Sequence, residues 1–423
     1  MKGLKLSLMV LMATLLALGF SGVAYAFHAG GVAECGGCHS MHFPKAGGSF
    51  LLVGTDTSST CLSCHEKTGD TAPSSYHVST AVADMPDGVP PLQRGPAGDF
   101  GWVKKTYSFT QRSALVQEQG YTHGHNIVAV DKGYNADPVN TVAPGGSYPA
   151  SNLGCQSCHN VHGKYRRLTG NVIATAGAPI YASGSTYSTT NGVGANEPTA
   201  TEAVGVYRLL HGGTEGGVNF PGAPVAKAPS TYNRKENATQ TRVAYGSGSA
   251  GGNTEWGNWC ASCHPGMHST GNYVHPIDFA LGSVNKGIYD AYVKSGDMSG
   301  NNATAFTSLV PFAENNQDYA GTLAPHALNN DTYLNGPASS DKVMCLSCHR
   351  GHASGWPFGL RWNMEGTFLT IGGVYPGTDT TPSNLGDARG RTGAETQAAY
   401  YDRPATKFAT FQRVLCNKCH AKD

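Results

Sequence analysis

Charge is scarce in this chain. Asp, Glu, Lys and Arg make up 13% of 423 residues, with 29 basic against 28 acidic side chains, whereas soluble domains ordinarily carry about 25%. Neither sign is in excess, so no basic face for nucleic acid is expected. Leucine-rich periodic stretches are missing too, which excludes an ordinary helical core. Beyond residue 26 no apolar stretch approaches the length needed to span a membrane. There is no Rossmann glycine motif, no P-loop and no run of alternating strands. Nor is any of the 12 cysteines available for a disulfide, because one short motif uses them all.

That motif is Cys-x-x-Cys-His, present six times. It occurs at Cys35, Cys38 and His39; Cys61, Cys64 and His65; Cys155, Cys158 and His159; Cys260, Cys263 and His264; Cys345, Cys348 and His349; and Cys416, Cys419 and His420. The spacing is the attachment signature of c-type haem: two sulfurs form thioethers to the porphyrin vinyls and the adjacent imidazole binds iron from the proximal side. Paired cysteines also occur in disulfide frameworks and zinc knuckles. Histidine is 17 of 423 residues, so its chance appearance after all six pairs has odds of a few in a billion, on the order of 0.04 to the sixth power. Six covalently attached haems are expected.

The first 26 residues read as a secretory signal peptide: Lys2 and Lys5, an apolar run from Leu6 to Leu18, then Ala24-Tyr25-Ala26 as a small-x-small cleavage site. No cysteine follows that site, so no lipoprotein anchor is expected. Export agrees with haem attachment, which takes place outside the cytoplasm. Without the two leader lysines the apoprotein has a formal charge of −1, and six ferric haems would add about −6 through their propionates.

Glycine is abundant at 56 residues, and the intervals between motifs are rich in glycine, serine and threonine. The interval from Gly170 to Val206 has no sustained period and reads as loop, and Gly246 to Asn253 reads as a further break. Helix candidates are few: Lys286 to Lys294, Ala303 to Phe312, Ala394 to Tyr401, and Thr406 to Cys416 opened by Pro404. The expected fold is a multihaem cytochrome c: mostly irregular coil and turns, a few short helices, little strand, and a stacked haem chain as core. Residues 27–423 form one haem-organised domain.

Six proximal histidines leave eleven others, more than enough to close six distal positions. Irons with both axial positions filled suit electron transfer rather than chemistry at the metal. His42, His162 and His352 each lie three residues after a proximal histidine. On a helical turn they share its side, so each must reach a different haem. Pairing by sequence order assigns His162 to the fourth haem and His352 to the sixth. His125 is placed on the third, with His123 as competitor. His77 and His275 complete the distal candidates, His28, His268 and His326 stand in reserve, and His211 is the weakest choice.

Between the motifs, Phe27–Cys35, Ser74–His77, Phe100–Thr106, Gly124–Ala129, His162–Arg167, Ala228–Arg234, Cys345–Arg350 and Leu415–Asp423 carry a specific likeness. Through them the exported chain resembles the filament-forming hexahaem outer-surface c-type cytochromes of Geobacter. The likeness lapses near Val206 to Ala226 and Asp278 to Tyr333. The resemblance implies a homopolymer in which His42 closes the fifth haem of a neighbouring subunit, on Cys345, Cys348 and His349. It also implies a continuous chain of low-potential bis-histidine haems, located outside the cell or on its outer surface. The implied role is electron transfer, with other multihaem cytochromes as donors and ferric oxides, electrodes or partner cells as acceptors. Two alternatives stand beside it: a monomeric periplasmic or surface shuttle, and a multihaem oxidoreductase that would need one iron with an open position.

Overall fold

A computed structural model describes residues 35–420 except 43, 46–49, 68–76, 160–165, 168–172, 175–179, 184–202, 206–209, 212, 216, 222–223, 230–232, 248–254, 269–274, 318 and 382–384. The leader, His28, His162 and the break after Gly246 therefore lie outside the described residues, apart from Ser247. Irregular chain predominates, punctuated by short helices and small sheets. Among the described residues no helix is long and apolar enough to cross a membrane.

The regular elements form where the motifs need them, and local polar side chains start them. Helix Thr57–His65 carries the second motif; Asp56 caps it by accepting from the Ser59 amide at 2.7 Å. Helix Trp256–Ala261 leads into the fourth motif. Its first amides, Gly257 and Asn258, donate to the Asp278 carboxylate at 3.0 and 2.8 Å. The third and fifth motifs share a device in which a motif serine accepts from the amide preceding the first cysteine. Gly154 donates to Ser157 at 3.0 Å and Met344 to Ser347 at 3.1 Å.

Strands are short. The longest ladder pairs Tyr107–Gln111 with Ala114–Glu118, antiparallel, through a turn at Arg112 and Ser113, both with positive φ as a primed hairpin turn requires. Its buried face, Tyr107 and Phe109, packs inward. A three-stranded sheet joins Ala226–Lys227, Ala244–Gly246 and Ala313–Glu314.

Three sequence expectations are corrected. Within 170–206, read as loop, Ile173–Ala174 and Ala203–Gly205 pair with Arg166–Arg167, and Ile180–Ser183 pairs with Ala203–Gly205, in a four-stranded sheet. Strands this brief leave no period to detect. Ala303 to Phe312 is not a helix beyond the turn Asn302–Thr304. There the Phe306 amide bonds Leu334 O at 2.9 Å, so the backbone satisfies itself across the fold. Thr406 to Cys416 likewise opens only as the turn Ala405–Lys407, then pairs Gln412 with Thr370 as a bridge. Helix Gly282–Ala291 overlaps the candidate from Lys286 but starts and ends earlier, and Gly393–Ala399 meets the candidate at Ala394.

Aromatic packing adds to the cores expected around the haems. Trp102, Tyr289, Trp356, Trp362, Tyr375 and Tyr400 belong to one buried cluster, against which Cys348, Cys416 and Cys419 pack. A smaller cluster of Leu62, Phe100, Ile127 and Tyr134 packs on Cys155. The walls around these motif cysteines are thus largely hydrophobic. An ionic clamp ties the hairpin to the C-terminal region: buried Glu118 accepts from His123 at 2.7 Å, from Arg389 at 3.0 Å and from Arg391. Burial opposes its ionisation, but the His123 bond and Arg391 outweigh it and lower Glu118 to about 2.

Candidate haem-binding chain

The cysteines are brought together in sequence order. The Cys61 thiol meets that of Cys155, and Cys260 meets Cys345; both contacts are close enough for hydrogen bonds. Cys158 senses Cys263, and Cys348 senses Cys416 and Cys419. The second to sixth attachment sites therefore succeed one another along the molecule. Among the described residues no group of three or more His, Cys, Asp or Glu side chains gathers as a bare metal-ion site.

The imidazoles instead face each other in pairs. His125 and His264 have ring centroids 6.0 Å apart, His159 and His352 6.3 Å, and His275 and His420 6.1 Å. A metal–imidazole bond of about 2 Å on each side, with roughly 1 Å from each nitrogen to its ring centre, separates centroids by roughly 6 Å. The gaps fit one iron held between two rings. In each pair one ring belongs to a Cys-x-x-Cys-His motif, so the second is the residue that would close a haem iron bound there.

The ring nitrogens are sorted accordingly. Nδ1 of proximal His39, His264 and His349 pairs with the carbonyls of Phe50, Pro144 and Phe358 at 2.7, 2.9 and 2.8 Å. Nδ1 of His125 pairs with Gly351 O at 2.9 Å and that of His352 with Gly98 O at 3.2 Å. A carbonyl can only accept, so each Nδ1 carries the proton and each Nε2 keeps its lone pair for a metal. Burial, with the His264 ring second, lowers His125 to about 4, which keeps it neutral as ligation demands.

These pairs replace the assignments made from sequence order. His125 faces the fourth proximal histidine instead of the third, and His352 faces the third instead of the sixth. The reason is topological: the chain after the fifth motif runs back across the molecule. The His352 amide bonds Ala97 O at 2.7 Å, the His125 amide bonds His352 O at 2.8 Å, and Gly124 pairs with Ala353 as a bridge. Glycine is required at the crossing, since a Cβ on Gly98 would lie 1.8 Å from Ala353 O and one on Gly124 2.3 Å from His352 O.

Other histidines have different work. His123 uses both nitrogens, Nδ1 on Trp102 O at 3.0 Å and Nε2 on Glu118 at 2.7 Å. His211 gives Nε2 to Gln156 O at 2.6 Å and stacks on Phe220. His268 pairs with Asp278, and His326 with Glu314 while stacking on Tyr333. His77 is buried beside the parallel pairing of Glu66–Lys67 with Ser79–Thr80. His42 is exposed. A carbonyl on Nδ1 does not separate these roles, since His123 has one too; a protein acceptor on Nε2, as in His123 and His211, does, and residue spacing does not reveal it.

No family model matches the chain. It is 49% identical to the C-type cytochrome OmcS of Geobacter sulfurreducens over an alignment of 451 positions that covers all of both chains. Its structure is similar to that of the OmcS nanowires of Geobacter sulfurreducens, with a TM-score of 0.83, 48% identity, 94% of this chain and 100% of that one covered. A second structure, the Outer Membrane Cytochrome S filament of the same organism, gives 0.81 and 47% over the same shares. With the attachment motifs, the iron-sized gaps and this likeness along the full length, the chain belongs to the OmcS family of c-type cytochromes.

Proposed function

We propose that this protein is an extracellular electron carrier that polymerises into a conducting filament, with six covalent haems per subunit. The filament carries electrons from other multihaem cytochromes to insoluble ferric oxides, electrodes or partner cells. The observation that carries the reading is the set of facing imidazole pairs, at centroid separations of 6.0, 6.3 and 6.1 Å, on attachment sites that adjoin in series. Bound haem supplies one-electron redox chemistry. The chain's residues do the rest: cysteines fix each macrocycle, carbonyls orient the imidazoles, and at the third, fourth and sixth motifs paired imidazoles leave no open position for a substrate. That closure favours an electron carrier over an enzyme. His125 is the proposed distal ligand of the fourth haem, His352 of the third and His275 of the sixth.

The fifth proximal histidine, His349, is exposed, and so is His42. His42 of a neighbouring subunit is the proposed ligand there. His42→Ala should give a haem-loaded protein that forms no filaments by electron microscopy. Normal filaments from that variant remove His42 from the role; monomers from the unaltered protein would favour a shuttle.

A further inference from the structure

The odd-numbered motifs are built on one plan. His39 bridges Leu52, His159 bridges Leu210 and His349 bridges Leu360. The amide after each leucine returns to the second cysteine: Val53 to Cys38 O at 3.0 Å, His211 to Cys158 O at 3.1 Å, and Arg361 to Cys348 O at 2.8 Å. In the first and fifth, the amide after the proximal histidine also matches, with Ser40 bonding Leu51 O at 2.6 Å and Arg350 bonding Gly359 O at 2.7 Å.

The segments leading into the third and fifth motifs match as closely. Ile127 N bonds His125 O at 3.1 Å, and Ile277 N bonds His275 O at 2.8 Å. Val128 N then bonds Leu153 O at 2.7 Å and Asp278 N bonds Val343 O at 2.9 Å, each acceptor two residues before its motif's first cysteine. His125 and His275 are equivalent positions, each facing the proximal ring of an even-numbered motif.

They differ in their cover. His125 is half-buried because Gly351 and His352 lie on it: its amide bonds His352 O at 2.8 Å and its Nδ1 bonds Gly351 O at 2.9 Å. His275 is exposed. Gly351 and His352 are the second and third residues after proximal His349; the counterparts after His39 are Met41 and His42, both exposed, Met41 at 78%.

We propose that Met41 and His42 of a second copy lie on His275 as Gly351 and His352 lie on His125. The His42 carbonyl accepts from the His275 amide and the Met41 carbonyl accepts from His275 Nδ1. This rests on the polymer reading above and deepens it. The joint between chains is then a repeat of a joint inside the chain. It orients His275, the sixth haem's ligand, besides presenting the His42 imidazole to the fifth.

Amide-resolved hydrogen exchange tests this on the haem-loaded protein. In wild-type filaments the His275 amide should exchange roughly 100-fold or more slowly than in His42→Ala monomers. The Ile277 amide, bonded within the chain, should be equally protected in both, which verifies that the variant is folded. Imidazole added to the monomers to close the fifth haem should leave the His275 amide fast, separating cover from ligation. Equal His275 exchange in filament and monomer overturns the inference while leaving the polymer reading intact. Failure of the wild-type protein to form filaments overturns both.

Discussion

Two histidines whose Nδ1 atoms both rest on carbonyls can still differ in what their Nε2 atoms face. His352 stacks on Phe100 and His123 bonds the carbonyl of nearby Trp102, and neither position in the sequence reveals its role. Yet the His352 ring faces that of His159 across 6.3 Å between centroids, whereas His123 spends Nε2 on Glu118 at 2.7 Å. His352→Ala should therefore convert one haem to a high-spin, carbon-monoxide-binding form in the reduced protein. His123→Ala should leave the haem spectrum low-spin and lower stability by about 1–3 kcal/mol, the cost of leaving buried hydrogen-bonding partners unsatisfied, because Arg389 and Arg391 still pair with Glu118. Optical and magnetic spectra of the two variants separate the cases; carbon monoxide binding by the His123 variant alone would reverse the assignments. The six motifs stand out in the sequence because covalent attachment demands contiguous spacing. Distal partners were only narrowed to a set, since any imidazole the fold delivers can serve.

Among the elements, the crossing of 351–353 over Gly98 and Gly124 decides which haem each distal histidine meets. Sequence order failed here for a physical reason: the bonds from His352 to Ala97 O and from His125 to His352 O join residues more than two hundred positions apart. The short helices at Lys286 and Ala394 were legible through their amphipathic pattern. The candidates at Ala303 and Thr406 were not helices because long-range backbone partners, Leu334 O and the Thr370–Gln412 bridge, replaced the local ones. Gly124→Ala should place a Cβ 2.6 Å from the Ala353 Cα, which only backbone movement can relieve. Overpacking of this kind costs typically about 1–3 kcal/mol. The expected outcome is a lower melting temperature together with perturbed signals from the third and fourth haems, while the sixth keeps its wild-type signature. A uniform change across all haems would instead indicate general loosening.

Over the whole molecule, alternate motifs repeat one backbone plan, and the repeat assigns ligands by position. His352, three residues after the fifth proximal histidine, faces the third; carried over to His162 and His42, the same offset predicts the first haem for His162 and a neighbour's fifth for His42. His125 and His275 precede the third and fifth motifs and face the fourth and sixth proximal rings. That rule predicts the second haem for His28, which precedes the first motif, and none for His77, which is buried beside Ser79–Thr80. Methionine ligation raises the potential of a c-type haem, so His28→Met and His162→Met should each move one haem upward and leave the rest in place. His77→Met should move none. Redox titration followed in the near infrared, where histidine–methionine haems are distinguishable from bis-histidine ones, reads this directly. One shifted haem in the His77 variant, with none in the His28 variant, would mean that the repeat stops short of the first motif and that the N-terminal pair is closed by a different route.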